Sequence, residues 1–559
     1  SPCWLKPIVG NRSEYPLNPP LMDAAKKASP WFSRLAALFL GALWSLAYPR
    51  WDLHGLAWCV PGLLWWLGGH NKTGRGLLLT WIASLAHALC TLHWLRYMPH
   101  AAGALAGWLA LSLYCSLFPL LWAWLFGWFW RPTTKADSVS MLETIRSWSL
   151  LRAQVVALMG ANLWVLSEWM VSSLITGFPW LILGSTQRPW SLLAQTASMG
   201  GVTMISWVMV WLSLATCMGL CRLRSRSPKP WVWIPDVLLP VVVLGMCHLY
   251  GYWRIRTTVE TRPEQRFLVA AIQPAFPQTL IWESGEGAEK MAILENLTEA
   301  ALQTNPDLIL WPESAYPGNQ SLEPTFELLK KHGSWLCFNT TDVNVLTEVP
   351  AGPAYYNAAF LVAPDGQLAG RYQKRHLVMF GEYVPWADTW PWLKSLSPIQ
   401  SSYRAGQTPI TMEMQEPKVF LYPLICFEDV MPALSLEAIK SPSPLLVNLT
   451  NDGWFQQSAA QFQHANLAAF RCIETGLAMV RSGNNGLSCW IDPLGQIQGV
   501  PLSSETSPYE RGFQTFQIPI GWKAPTYYPS WGRLFHWACL GMTACLGIHQ
   551  RWKQNKQAA

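Results

Sequence analysis

Charge is what this 559-residue chain has least of: Asp, Glu, Lys and Arg together make up 13% of it, against 51% hydrophobic residues. Soluble domains carry about a quarter charged residues, so a wholly soluble fold is a poor fit. No paired Cys-x-x-Cys steps occur and no glycine-rich phosphate loop, which leaves a structural zinc site and a nucleotide cradle without their signatures. Most of the 13 cysteines lie inside apolar runs, where they pack as small hydrophobes, so no disulfide framework is expected. Residues 1–30 are polar and proline-bearing, without the charged start and short apolar core of a cleavable signal, and read as a tail. The net charge of +7 raises nucleic acid as a partner, but the basic residues sit in short loops between apolar segments, as membrane topology requires.

What is present points to a bilayer. There are 36 tryptophans, and indole rings favour the membrane–water interface. Apolar stretches at roughly 31–49, 53–69, 76–98, 102–130, 155–175, 192–220, 231–252 and 530–549 each approach the ~20 residues that a spanning helix needs. Lys26, Lys27 and Arg34 precede the first of them, and Lys72 and Arg75 follow the second. Arg131, Lys135 and Arg146 follow the fourth; Arg222, Arg224, Arg226 and Lys229 follow the sixth; Arg551, Lys553 and Lys556 follow the last. In an eight-span frame all of these fall on one side, which the positive-inside rule makes cytoplasmic. The long segment between spans seven and eight then faces outward. Within span five, Glu168 is a carboxylate in apolar surroundings, where charge is costly and usually functional. Thr176-Gly-Phe-Pro-Trp180, just beyond it, is either a helix break whose backbone needs protein or a cavity, or a helix end at the interface with an aromatic anchor.

The expected division is a tail at 1–30, a seven-helix membrane part at 31–255, an extramembrane α/β part at 256–527, and a last helix with a basic tail at 528–559. Short strands are expected at 267–272, 308–310, 335–338, 358–362, 419–425, 445–448, 477–480 and 487–491, with helices at about 286–304 and 458–475. Gly476 suits a left-handed helix cap. Strands alternating with helices argue for layered packing around a two-sheet core. Three strand ends then carry chemistry: Trp311-Pro-Glu313, Lys374 within Arg371-Tyr-Gln-Lys-Arg-His376, and Cys426 after Val419-Phe-Leu-Tyr-Pro-Leu-Ile. A thiolate can attack a carbonyl, a carboxylate can move the proton, and an ammonium can steady the oxyanion. Taken singly, each is more ordinary: a surface carboxylate, a solvated lysine, an inert buried thiol. His376 reads as a structural support, and Cys337, Cys472 and Cys489 as core.

Taken in order, Trp-Pro-Glu, Tyr-x-Lys-x-His-Leu-Val-x-Phe-Gly-Glu and Ile-Cys-Phe-Glu resemble the nitrilase superfamily. Over about residues 31–550 the chain further resembles the apolipoprotein N-acyltransferase family, including Leu-Ile-Thr-Gly-Phe-Pro-Trp180, Asn451-Asp-Gly-Trp454-Phe455 and Arg481-Ser-Gly-Asn484-Asn485-Gly486. The resemblance implies about eight transmembrane helices carrying an extramembrane α-β-β-α sandwich. It makes Glu313 the general base, Lys374 the oxyanion lysine and Cys426 the nucleophile. Glu382 and Glu428 become acidic residues beside the triad, Trp282 an arm tryptophan, and Tyr356-Asn357 a support of the pocket; Trp454, Glu168 and Trp180 are further candidates for substrate contact. It implies a phospholipid acyl donor, phosphatidylethanolamine on the family's pattern, a diacylglyceryl lipoprotein acceptor, a bacterial inner membrane location with the catalytic part periplasmic, and neither metal nor organic cofactor. Two departures stand out: Met379 where the family has proline, and Gln456 where glycine follows Trp-Phe. A membrane-tethered amidase acting on small amides and a non-enzymatic transporter or scaffold are the alternatives.

Overall fold

A computed structural model of the protein describes residues 30–69, 73–130, 141–223, 234–278, 286–344, 353–397, 399, 402–442, 444–499 and 509–558. Helices of ten or more residues are labelled in chain order. The first seven are α1 (Pro30–Ser45), α2 (Val60–Gly69), α3 (Thr73–Thr91), α4 (Ala101–Trp130), α5 (Leu150–Val171), α6 (Val202–Leu223) and α7 (Ile234–Glu260), which pack as a bundle. Among the described residues four helices are long and apolar enough to cross a membrane: Ala101–Trp130, Leu150–Val171, Val202–Arg222 and Ile234–Glu260. Leu238, Met246 and Leu249 on α7, and Leu105, Leu109, Leu113 and Trp124 on α4, are exposed. A band of large apolar side chains with no protein against it is what lipid contact requires.

Two of the expected spans depart from a single long helix. The second begins as a short 3-10 turn (His54–Trp58) and continues as α2, only ten residues long. The sixth is not continuous: Gly201, at φ +80°, separates the turn Ala197–Gly200 from α6. A Cβ at that glycine would press into the Tyr528 ring.

The α/β part contains two six-stranded sheets. The strands are β1 (Arg266–Gln273), β2 (Leu308–Leu310), β3 (Trp335–Asn344), β4 (Ala354–Val362), β5 (Leu368–Gln373), β6 (Met412–Met414), β7 (Val419–Ile425), β8 (Leu445–Thr450), β9 (Met479–Gly483), β10 (Cys489–Ile491), β11 (Ile497–Gln498) and β12 (Gly512–Pro519). One sheet runs β12-β1-β2-β3-β4-β5 and the other β11-β10-β9-β8-β7-β6. Inner faces meet through Val269, Leu308, Leu310, Leu421, Ile425, Val447 and Val480, and this core also holds Cys337. Helices α8 (Gly287–Leu302) and α9 (Glu323–His332) cover the outer face of the first sheet through Leu294, Ala301 and Leu329.

Helix α10 (Ala460–Thr475) covers the second, and all of its residues except Phe462 are buried. A surface helix keeps one polar face; one buried all round has protein on both sides. Ala468, Ala469 and Cys472 pack on the sheet, while Leu467, Phe470 and Ile473 join the core of the bundle. Gly476 caps it at φ +70°, as its sequence suggests. Arg254 on α7 donates to the Ile473 carbonyl (2.9 Å) and to the Pro525 carbonyl (2.7 Å), pinning the end of α10. Glu474 accepts from the Val202 amide (2.9 Å) at the start of α6. The last helix, α11 (Tyr528–Ala558), returns to the bundle beside α5.

Candidate active site

Three strand ends meet on the rim of the sandwich. Glu313 follows β2 after Trp311-Pro312; the Trp311 indole donates to Thr298 (2.9 Å), fixing the strand exit against α8. The next residue, Ser314, sits at φ +60°, with its amide donating to the Asn339 side chain (3.0 Å). Lys374 lies one residue beyond β5 and is 1% exposed. Its Nζ is 3.3 Å from Glu313 Oε1 and 2.9 Å from Glu382. Asn357 on β4 donates to both carboxylates, at 2.9 Å and 2.7 Å, and accepts from Asn339 at 2.6 Å. The remaining oxygens are also held: Glu313 Oε2 by the Asn451 amide (3.1 Å), Glu382 Oε2 by the Val378 amide (2.9 Å).

Cys426 follows β7 and opens a 3-10 turn at φ +52°, a left-handed conformation that an L side chain adopts at a cost. It is half-buried. Glu428, fully buried, ties this turn to the lysine. It accepts from the Ile425 amide (2.8 Å), from the Arg375 and His376 amides (2.8 and 3.0 Å), and from the Tyr372 hydroxyl (2.9 Å). One carboxylate thus fixes the strand ends carrying Cys426 and Lys374 relative to each other. Burial pushes the Cys426 thiol well up, the Glu313 carboxylate raises it further, and Lys374 pulls it back in part. Burial pulls Lys374 down, but Glu313, Glu382, Cys426 and Glu428 together outweigh it and hold it above the ordinary lysine range. The group is therefore a thiol held toward its protonated form beside Glu313, and a lysine held toward its ammonium form. That set can move one proton and stabilise one oxyanion.

The remaining expected residues are placed as follows. Tyr356 is half-buried on β4, and Trp454 is half-buried in the turn Asp452–Phe455. Trp282 lies outside the described residues. Trp180 is buried, with its ring parallel to Phe427 (4°, 6.1 Å between centroids), the residue after Cys426. Glu168 contacts neither: its Oε1 accepts from the Trp164 indole (2.8 Å) and the Leu183 amide (2.8 Å) inside the bundle. It fastens the segment that presents Trp180. Gly177 in that segment, at φ +79°, leaves no room for a Cβ beside the Ser172 carbonyl. His376 stacks on Phe427 at 5.9 Å.

Other residues of the site were given no role in the sequence reading, Asp452 and Arg481 among them although they lie in the Asn451-Asp-Gly-Trp454-Phe455 and Arg481-Ser-Gly-Asn484 motifs. Asn339 is one. Asp429, Asp452, His464 and Arg481 are others: His464 lies 2.7 Å from Asp429 and 2.8 Å from Asp452, and Arg481 pairs with Asp429 and approaches Asp452 at 3.6 Å. Burial lowers Arg481, with Cys489 and Cys426 opposing. The late motif also has a structural part, since Asn484 and Asn451 bond each other (3.0 Å) and hold the 275–278 loop through Phe276 and Gln278.

Two family models match the chain: the apolipoprotein N-acyltransferase N-terminal domain over residues 40–215 and the carbon-nitrogen hydrolase over residues 268–509. An apolipoprotein N-acyltransferase of Azotobacter vinelandii is 31% identical over 485 residues, covering 84% of this chain and 86% of that protein. The chain belongs to the apolipoprotein N-acyltransferase family. The apolipoprotein N-acyltransferase of Geobacter metallireducens is 29% identical over 534 residues, covering 92% of this chain and 95% of that one. A solved amidase from Nesterenkonia sp. covers 49% of this chain and 95% of its own at 16% identity and a TM-score of 0.34, values at which the likeness carries no weight. As a member of the apolipoprotein N-acyltransferase family, with a carbon-nitrogen hydrolase match over its two-sheet part, the chain is an acyltransferase of the membrane.

Proposed function

We propose that Cys426, Glu313 and Lys374 carry an acyl chain from a phospholipid to the α-amine of a diacylglyceryl-cysteine lipoprotein. The observation that carries this reading is the Lys374 ammonium, held between Glu313 and Glu382 beside the Cys426 turn. In the first half-reaction Glu313 takes the thiol proton as sulfur attacks the ester carbonyl. Charge on the carbonyl oxygen is met by Lys374. The C–O ester bond breaks, and Glu313 returns the proton to the departing lysophospholipid alkoxide. In the second, the lipoprotein amine attacks the thioester carbonyl and gives its proton to Glu313. The C–S bond breaks, leaving an amide and a thiolate that recovers the proton.

Phosphatidylethanolamine is the proposed donor. Eight spans, with the two-sheet part on the periplasmic side of a bacterial inner membrane, are the proposed topology, supported by Arg34, Arg75, Arg146 and Arg222 falling on one side of that frame. Mass spectrometry of the purified protein mixed with phosphatidylethanolamine tests the reading. One acyl adduct on Cys426 is expected, absent in Cys426→Ala; an adduct that survives that substitution refutes it.

A further inference from the structure

The rings beside Cys426 form a continuous wall toward the bundle. Phe427 lies parallel to Trp180 and, at 11°, to Phe178; Trp180 meets Trp94 at 5.2 Å, and Trp94 meets Phe455 edge-on at 4.5 Å. Buried indoles need an acceptor for their N–H. Here both find the same one. Gln463 Oε1, on α10, accepts from Trp180 (2.7 Å) and from Trp94 (3.0 Å). Its Nε2 donates to the Pro49 carbonyl (2.9 Å) and toward the Thr91 carbonyl (3.4 Å), so donors and acceptor are all engaged with bundle segments. The next residue, His464, is clamped between Asp429 and Asp452 and sits 5.7 Å from the Trp180 ring. Gln463 therefore cannot move without turning two rings of the wall.

A thioester on Cys426 faces two nucleophiles, amine and water. Transfer prevails only where the acyl carbonyl is kept dry until the amine arrives. We infer that Gln463 is a positioning residue that sets this partition: by orienting Trp180 and Trp94 it seals the bundle side of the thioester against water. The inference rests on the thioester reading above. In the leak it prevents, a water oxygen attacks the thioester carbonyl, the C–S bond breaks, a free fatty acid leaves, and the water proton returns to the Cys426 sulfur through Glu313.

The test uses the full chain in detergent with phosphatidylethanolamine bearing an alkyne-tagged acyl chain, followed by a synthetic diacylglyceryl-cysteine peptide. The ratio of tagged fatty acid to N-acyl peptide is measured. Gln463→Leu, which strands both indole N–H groups, is expected to raise that ratio about tenfold. Trp180→Phe, which keeps an apolar ring but removes its N–H, should raise it in the same direction and decides the matter if the leucine variant does not fold. Gln463→Glu, buried against the Pro49 carbonyl and therefore held as the protonated acid, keeps the acceptor oxygen and one donor and should restore the parental ratio, a rescue that loss of fold would not show. A parental ratio in both Gln463→Leu and Trp180→Phe, or a Gln463→Glu ratio as high as that of the leucine variant, overturns the inference while leaving an adduct on Cys426 intact. Absence of that adduct in the unsubstituted protein overturns the thioester reading and this inference with it.

Discussion

At Lys374 one cation neutralises two buried carboxylates, and the balance is one-sided. Removing a single partner of a buried pair leaves uncompensated charge, which costs about 3–5 kcal/mol. Lys374→Met should therefore lower the unfolding temperature in detergent as well as abolish turnover, and adding Glu382→Gln should recover part of the stability but none of the activity. The thiol is tuned by the same groups. Because Glu313 raises the Cys426 thiol, Glu313→Gln lowers it, increases the thiolate fraction at pH 8, and should speed alkylation by iodoacetamide; Lys374→Met should slow it. Turnover in Glu313→Gln should nevertheless fall by about 10²–10⁴, the usual contribution of a general base. Gln456, at φ +49° and ψ −151°, occupies backbone space suited to glycine. Gln456→Gly should stabilise the protein by about 1 kcal/mol in thermal unfolding. Glu313 and Cys426 stood out in the sequence because each follows an apolar run that ends abruptly, and Lys374 because of the motif Tyr-x-Lys-x-His-Leu-Val-x-Phe-Gly-Glu around it. Asn339, inside β3, offered no such signal: its role exists only because β3 lies against β4, where it meets Asn357.

Among the elements, those with strong local pattern were readable and those defined by distant partners were not. Helix 286–304 appears as α8 and helix 458–475 as α10, with Gly476 at the cap. Strand β5, Leu-Ala-Gly-Arg-Tyr-Gln, has neither alternation nor an apolar run, and β12 becomes a strand by pairing antiparallel with β1, from Arg266 opposite Pro519 to Gln273 opposite Gly512. The sixth span looked continuous because hydropathy is blind to a left-handed turn at Gly201. Helix α10 is the element on which both halves depend. Phe470, fully buried on its bundle side, should cost about 3–5 kcal/mol when cut to alanine. Chemical or thermal unfolding in detergent would read that loss, and because α10 also carries Gln463 and His464, activity should fall at temperatures where the variant is still folded.

For the molecule as a whole, composition pointed to the membrane and three separated motifs pointed to one site, but the join between them was hidden. Among the described residues, four helices meet the length and apolarity of a span, while α2 has ten residues where a span takes about 20. Eight spans remain testable: a reporter inserted at 501–507 and one fused after Ala559 should report opposite sides of the membrane. Same-side labelling would rule out the frame. The covering of α10 from both sides has a further consequence. With sheet on one flank and bundle on the other, the two halves of the chain form one folding unit, and a fragment of residues 256–527 would come out of solution with Leu467, Phe470 and Ile473 bared. Hinging the halves apart would bare those same side chains, so large lipids are expected to enter past the rim of the joined halves.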